Sequence, residues 1–131
     1  MKTSELSGAA LDWAVCIANG LKPEDIYIQK WGKQRASLFR RNRDEEGELD
    51  GSYTTGPDLL FSHKWEAGGP IIEQEKLDVL YMGDGVNEHY WRAEAVGGFT
   101  FAEGLTPLIA AMRCFVASRL GEEVEVPKEL L

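Results

Sequence analysis

Apolar residues recur at spacings of three and four in two stretches of the chain. Over 7–19, Leu6, Ala10, Trp13, Ala14 and Ile17 mark one face and Asn19-Gly20 supplies a left-handed stop, which predicts a helix. Over 107–120, Leu108, Met112, Phe115, Val116 and Leu120 repeat the period. Thr106 stands where a side-chain oxygen can accept a free amide, Pro107 occupies the first helical position, and Gly121 follows the end. Between these segments the period falls to two. Leu77, Val79 and Tyr81 alternate with polar positions, Met82-Gly83-Asp84-Gly85 turns the chain, and Trp91, Ala93 and Ala95 alternate again, which predicts an antiparallel hairpin with one buried face. Ile71-Ile72 after Gly68-Gly69-Pro70, Leu59-Leu60-Phe61 and Ala36-Ser37-Leu38-Phe39 are shorter strand candidates, and Val124-Glu125-Val126 reads as an edge. Strands bracketed by two helices predict one α+β domain over 1–131. Its mainly antiparallel sheet carries the N-terminal and C-terminal helices on one face and leaves the other face open to a partner.

Composition narrows the partner. Against 14 Lys and Arg stand 22 Asp and Glu, a net charge of -8, so the molecule as a whole repels phosphate backbones and non-specific nucleic-acid binding is disfavoured. The charge is unevenly spread. Residues 30–43 hold six cations (Lys30, Lys33, Arg35, Arg40, Arg41, Arg43) and no acid, while Asp44, Glu45, Glu46, Glu48, Asp50 and Asp58 follow without a base. Trp31 and Phe39 among the cations suit single-stranded nucleic acid. A hairpin of the basic and acidic segments would instead neutralise itself, and the region is read as a solvated, charge-paired arm. Cys16 and Cys114 lie far apart in apolar stretches, which fits a reduced, intracellular setting. The N-terminus lacks a signal-peptide pattern and no apolar run is long enough to cross a bilayer, so a soluble protein without membrane contact is expected.

Catalytic patterns are absent. No Gly-Lys-Ser/Thr sequence occurs, and Gly83-Asp84-Gly85 lacks the third glycine and the strand-to-helix setting of a dinucleotide fingerprint. His63 and His89 are the only imidazoles, too few for a His-rich metal site. Ser62-His63, read as strand neighbours, would point to opposite faces, and Glu73 with Glu75 would share one strand face by chance in so acidic a chain. The expectation is a non-enzymatic protein with no catalytic residue, metal or cofactor.

Three ordered blocks carry a resemblance: residues 1–15 from Met1-Lys2-Thr3 to Asp12-Trp13-Ala14-Val15, then Gly68-Gly69-Pro70-Ile71-Ile72-Glu73, then Thr106-Pro107-Leu108 through Cys114, with Val116 to Gly121 and Val124-Glu125-Val126-Pro127. Together they resemble the NinX-like family, small uncharacterised proteins of tailed phages and prophages. Residues 22–61 and 77–104 match only loosely. The resemblance implies a phage product acting in the host bacterial cytoplasm and brings no activity or site residue with it.

Within those blocks, Asp12 and Arg113 each interrupt an otherwise apolar helix. Either they pair across the helix interface or reach the surface, or Arg113 extends into a pocket and grips an anion. Gly68-Gly69-Pro70 after Trp65 is either a tight turn or a place where backbone amides approach a ligand, with Trp65 or Trp91 as a stacking ring. The Thr106-Pro107 helix start offers amides at Leu108 and Ile109 to a phosphate. The candidate ligand site is therefore Trp65, Gly68, Gly69, Trp91, Thr106, Leu108 and Arg113. It is expected to sequester a small anionic, nucleotide-like ligand, such as a nucleotide-derived host immune signal, at a homo-oligomer boundary. Two alternatives stand beside it: an acidic module that inhibits a host protein, and a hydrolase with an unrecognised site.

Overall fold

The computed structural model describes residues 1–33, 35–54 and 59–131, so Asp58 of the acidic run lies outside the described residues. Both predicted helices form: α1 over Gly8–Ala18 and α3 over Pro107–Leu120. Gly20 takes the left-handed conformation (φ 100°) that stops α1. The Thr106 hydroxyl oxygen accepts the Ile109 amide at 3.1 Å, as the sequence around the start of α3 predicts. Three strands, β1 (Ile26–Trp31), β2 (Arg35–Arg43) and β3 (Leu49–Thr54), form one antiparallel sheet. β4 (Asp78–Tyr81), β5 (Trp91–Glu94) and β6 (Phe101–Gly104) form another. The class is α+β with antiparallel sheets, as expected, but the strands divide into two sheets and a third helix lies between them.

That helix, α2 over Trp65–Glu75, replaces the predicted turn and strand at Gly68-Gly69-Pro70-Ile71-Ile72. Glycine pairs and proline punctuate most helices. Here burial of Gly68 and Ile71 outweighs those propensities, and the missing Pro70 amide leaves only one helix bond unmade. Glu73 and Glu75 consequently sit on a helix, and Glu75 pairs with Arg119 of α3. Two further strand candidates also fail. Leu59-Leu60-Phe61 leads into a turn, with the Leu60 carbonyl accepting the His63 and Lys64 amides. Val124 exchanges backbone hydrogen bonds with Met1 instead of closing a sheet edge.

α3 is the hub, packing against α1, α2 and all three strands β4, β5 and β6. Met112, Phe115 and Val116 of α3 share one apolar cluster with Leu11 and Val15 of α1, Ile26, Leu38, Ile71, Ala93 and Ala102, and Leu108 is buried at the start of the same helix. Each large side chain removed from water there contributes about 1.5–3 kcal/mol. Glycine sets two of the close approaches. A Cβ on Gly68 would lie 2.4 Å from the Phe61 carbonyl oxygen and 2.8 Å from Leu108 Cδ2, and one on Gly104 would lie 2.7 Å from the Ala110 nitrogen. The glycine of the doublet that matters is thus a packing contact between α2, the preceding turn and α3.

The predicted hairpin is β4 against β5, with Val79 opposite Ala93 and Tyr81 opposite Trp91. Its connection is a longer loop ordered by Asp84, whose carboxylate accepts the Val86, Asn87 and Glu88 amides. Those bonds, the Glu88 amide foremost, hold the Asp84 carboxyl below its ordinary value.

Candidate functional site

Among the described residues, two concavities flank α3. The smaller, about 210 Å³, opens at the helix start between Ser62, His63, Trp65 and the residues from Thr106 to Ile109. The larger, about 650 Å³, runs along the free edge of β6. Its walls are Phe101 to Leu105, Arg113 and Ala117 of α3, Tyr90, and the two chain segments 2–4 and 122–123. Those segments are joined by main-chain pairing, with the Thr3 amide donating to the Glu122 carbonyl and the Thr3 hydroxyl donating to the Gly121 carbonyl.

The seven residues singled out in the sequence separate between these places. Trp65, Thr106 and Leu108 line the small pocket; Gly68 lies beneath Leu108 and Gly69 behind the Trp65 ring. Arg113 belongs to the large cleft. Trp91 lines neither: half-buried on β5, it meets Tyr81 edge to face at 5.2 Å. The expected phosphate cradle at the start of α3 is also narrower than the sequence suggests. Thr106 already occupies the Ile109 amide. Pro107 has no amide to offer, and a space of this size suits a single phosphate group more than a whole nucleotide.

Asp12 and Arg113 do not pair with each other. The Asp12 carboxylate, 2% exposed, accepts the Ser62 amide at 2.8 Å. Burial pushes its pKa up to about 6, with the bond from Ser62 pulling the other way. The Ser62 hydroxyl is buried without a hydrogen-bond partner among the described residues, and no hydrogen bond joins the exposed His63 ring to either group. Adjacency in sequence therefore produces no relay of serine, histidine and aspartate here.

Arg113 satisfies its burial through carbonyls. Nε donates to the Leu6 carbonyl at 2.7 Å and Nη1 to the Glu103 carbonyl at 2.8 Å, which ties α3 to the chain before α1 and to the edge of β6. Burial lowers its pKa, yet a guanidinium stays charged throughout the physiological range. Among the described residues no carboxylate lies within ion-pair distance of it. Nη2 and the second Nη1 hydrogen remain uncommitted there. Around this charge the cleft offers Lys2, the aromatic side chains Tyr90 and Phe101, and the acids Glu103, Glu122 and Glu123. Phe101 carries the Arg92 guanidinium 3.8 Å from its ring centre. No spacing in the sequence announces this group, because the cleft is assembled from opposite ends of the chain.

Both cysteines are free and buried. Burial pushes the Cys16 thiol up to about 12 and the Cys114 thiol up to about 11, so both behave as apolar fillers at neutral pH.

The NinX model of bacteriophage P22 matches residues 2–119, which includes α1, both sheets, α2 and nearly all of α3. The chain belongs to the NinX family. No curated protein matches it. The NinX match takes in the loosely resembling segments 22–61 and 77–104 together with the first two blocks from Lys2 on and the third as far as Arg119, while Leu120-Gly121 and Val124-Glu125-Val126-Pro127 lie beyond it. Among the described residues of this NinX chain, no helix is long and apolar enough to cross a membrane.

Proposed function

We propose that this NinX-family protein binds and holds a small anionic ligand in the cleft beside β6, acting without turnover as a phage accessory factor in the host bacterial cytoplasm. The observation that carries this reading is the charge of Arg113, seated on two carbonyls at the wall of a 650 Å³ cleft with no carboxylate partner among the described residues. A cleft of about this volume accommodates a drug-sized ligand. Phe101 and Tyr90 provide aromatic surface for a base, and Glu103, Glu122 and Glu123 provide acceptors for its amino groups. A nucleotide-derived immune signal of the host has this chemistry, and its sequestration would make the protein a counter-defence factor.

Calorimetric titration with mono-, di- and cyclic nucleotides tests the proposal, with chromatography of the nucleotide afterwards. Binding with recovery of unchanged nucleotide is expected. Arg113→Lys, which keeps a cation but loses the planar fork, is expected to weaken binding about tenfold, the worth of one charge-assisted hydrogen bond. Absence of heat with every nucleotide, or multiple turnovers per molecule, removes the proposal.

A second reading, inhibition of a host protein through an acidic surface, is supported by the exposure of Glu45, Glu46, Glu48 and Asp50 around the turn from β2 into β3. A stoichiometric host partner retained by wild-type protein and lost on charge reversal of these four residues would favour it.

A further inference from the structure

The outer face of the first sheet combines aromatic rings with cations that have no ion-pair partner among the described residues. Side chains alternate across a strand. Buried Ile26 and Leu38 mark the inner face, so Tyr27, Gln29 and Trp31 of β1, Arg35, Ser37, Phe39 and Arg41 of β2, and Tyr53 of β3 share the opposite one. The register sets Tyr27 beside Phe39, Trp31 beside Arg35, and Arg41 beside Tyr53. Tyr27 and Tyr53 stack with centroids 4.8 Å apart, Phe39 lies 5.2 Å from Tyr53, and the Arg41 guanidinium sits 5.1 Å from the centre of the Tyr27 ring. Trp31, 57% exposed, is fixed to the sheet by its indole N–H, which donates to the Ser37 hydroxyl at 3.0 Å.

Among the described residues, the acids that follow the basic block in sequence make no ion pair on this face. The hairpin expected from the charge pattern does form, but Arg43 pairs with Glu24 and Asp25 from before β1, and Arg35 and Arg41 make no ion pair among the described residues. Asp44 turns inward to accept the Glu46 and Glu48 amides, and Asp50 is taken by Ser52. Ser52 and Thr54 bond Asn42 on the side of the sheet away from Tyr53. The acidic excess belongs to the rest of the molecule, since residues 30–43 contain six cations and no acid.

We infer that this sheet face binds single-stranded nucleic acid, with bases on the aromatic strip and backbone phosphates on Arg35 and Arg41. Sheets that present aromatic rings to solvent stack two or three unpaired bases in this way, and nearby cations neutralise the backbone. A duplex hides the ring faces of its bases and gains only the phosphate contacts. The inference concerns a different surface from the Arg113 cleft and stands independently of it.

Fluorescence anisotropy of a labelled oligothymidylate, titrated with the whole protein at low and then increasing salt, decides the matter. Single strand is expected to bind more tightly than the matching duplex, and its affinity is expected to fall with salt at a logarithmic slope of about -0.7 for each phosphate neutralised. Trp31→Ala and Tyr53→Ala alter exposed side chains and are each expected to weaken binding about tenfold, while Arg41→Gln is expected to make the salt slope shallower by about 0.7, the share of one phosphate contact. Trp31 emission should be quenched on binding, and Trp31→Phe should abolish that quench. Arg113→Lys should leave the titration unchanged, which separates this surface from the cleft. Unfolding curves matching wild type show that the variants fold. Failure of the oligonucleotide to bind at low salt, equal affinity for duplex, or full affinity in folded Trp31→Ala and Tyr53→Ala proteins overturns the inference.

Discussion

Gly68→Ala is expected to destabilise the protein by about 2–3 kcal/mol, although the same change in an open helix stabilises by about 1 kcal/mol. The sign turns on what the added methyl meets. Its Cβ falls 2.4 Å from the Phe61 carbonyl oxygen, a backbone atom that can move only with its turn, and 2.8 Å from the buried Leu108 side chain. The next glycine is the control. A Cβ on Gly69 meets the Trp65 ring at 3.8 Å, an ordinary contact. The small gain in helix propensity there is offset by crowding from the following proline, so Gly69→Ala should stay within about 0.5 kcal/mol of wild type. Urea unfolding of the two variants checks this. Equal midpoints would show that the helix interface yields freely and that Gly68 is not a packing contact.

Asp12→Asn is expected to stabilise the protein at neutral pH and to flatten its dependence on pH. The folded chain raises the Asp12 pKa from 3.8 to about 6, so between those values the native state holds a proton that the unfolded chain has released. The stabilising contribution of the protonated form is complete below pH 3.8 and is lost as pH rises through about 6. The raised pKa corresponds to about 3 kcal/mol at this buried position. Asparagine keeps an oxygen for the Ser62 amide and carries no charge to desolvate. The unfolding free energy of the variant relative to wild type should therefore climb between about pH 4 and about pH 7 and level off above. Curves that run parallel across that range would mean that Asp12 is solvated in the folded state.

The two terminal helices were legible because their apolar period, caps and stops all agree, and the β4–β5 hairpin was legible from strict alternation. α2 was not, since Gly-Gly-Pro punctuates the only local pattern it has. Its signal was present in the spacing of Gly68, Ile71, Ile72 and Glu75, but only contact with α3 gives that spacing priority. Each sheet is a meander of consecutive strands, and alternation does not encode where the pairing of neighbours stops and a second sheet begins. The basic block followed by an acidic block predicted the hairpin and misjudged its electrostatics, because neighbours in sequence are neutralised only if they share a face. Arg113 was recognisable as a charge needing satisfaction. Leu6 and Glu103, whose carbonyls supply it, have no sequence signature, and neither has a cleft closed by residues from both chain ends.

The two sheltered thiols give the protein an internal record of its own breathing. One sits in each of the helices that hold the apolar cluster together, and a thiol reagent reaches either sulfur only in molecules whose helix has lifted away. The cysteines thereby divide motion of the N-terminal helix from motion of the hub helix, with no probe added to the surface.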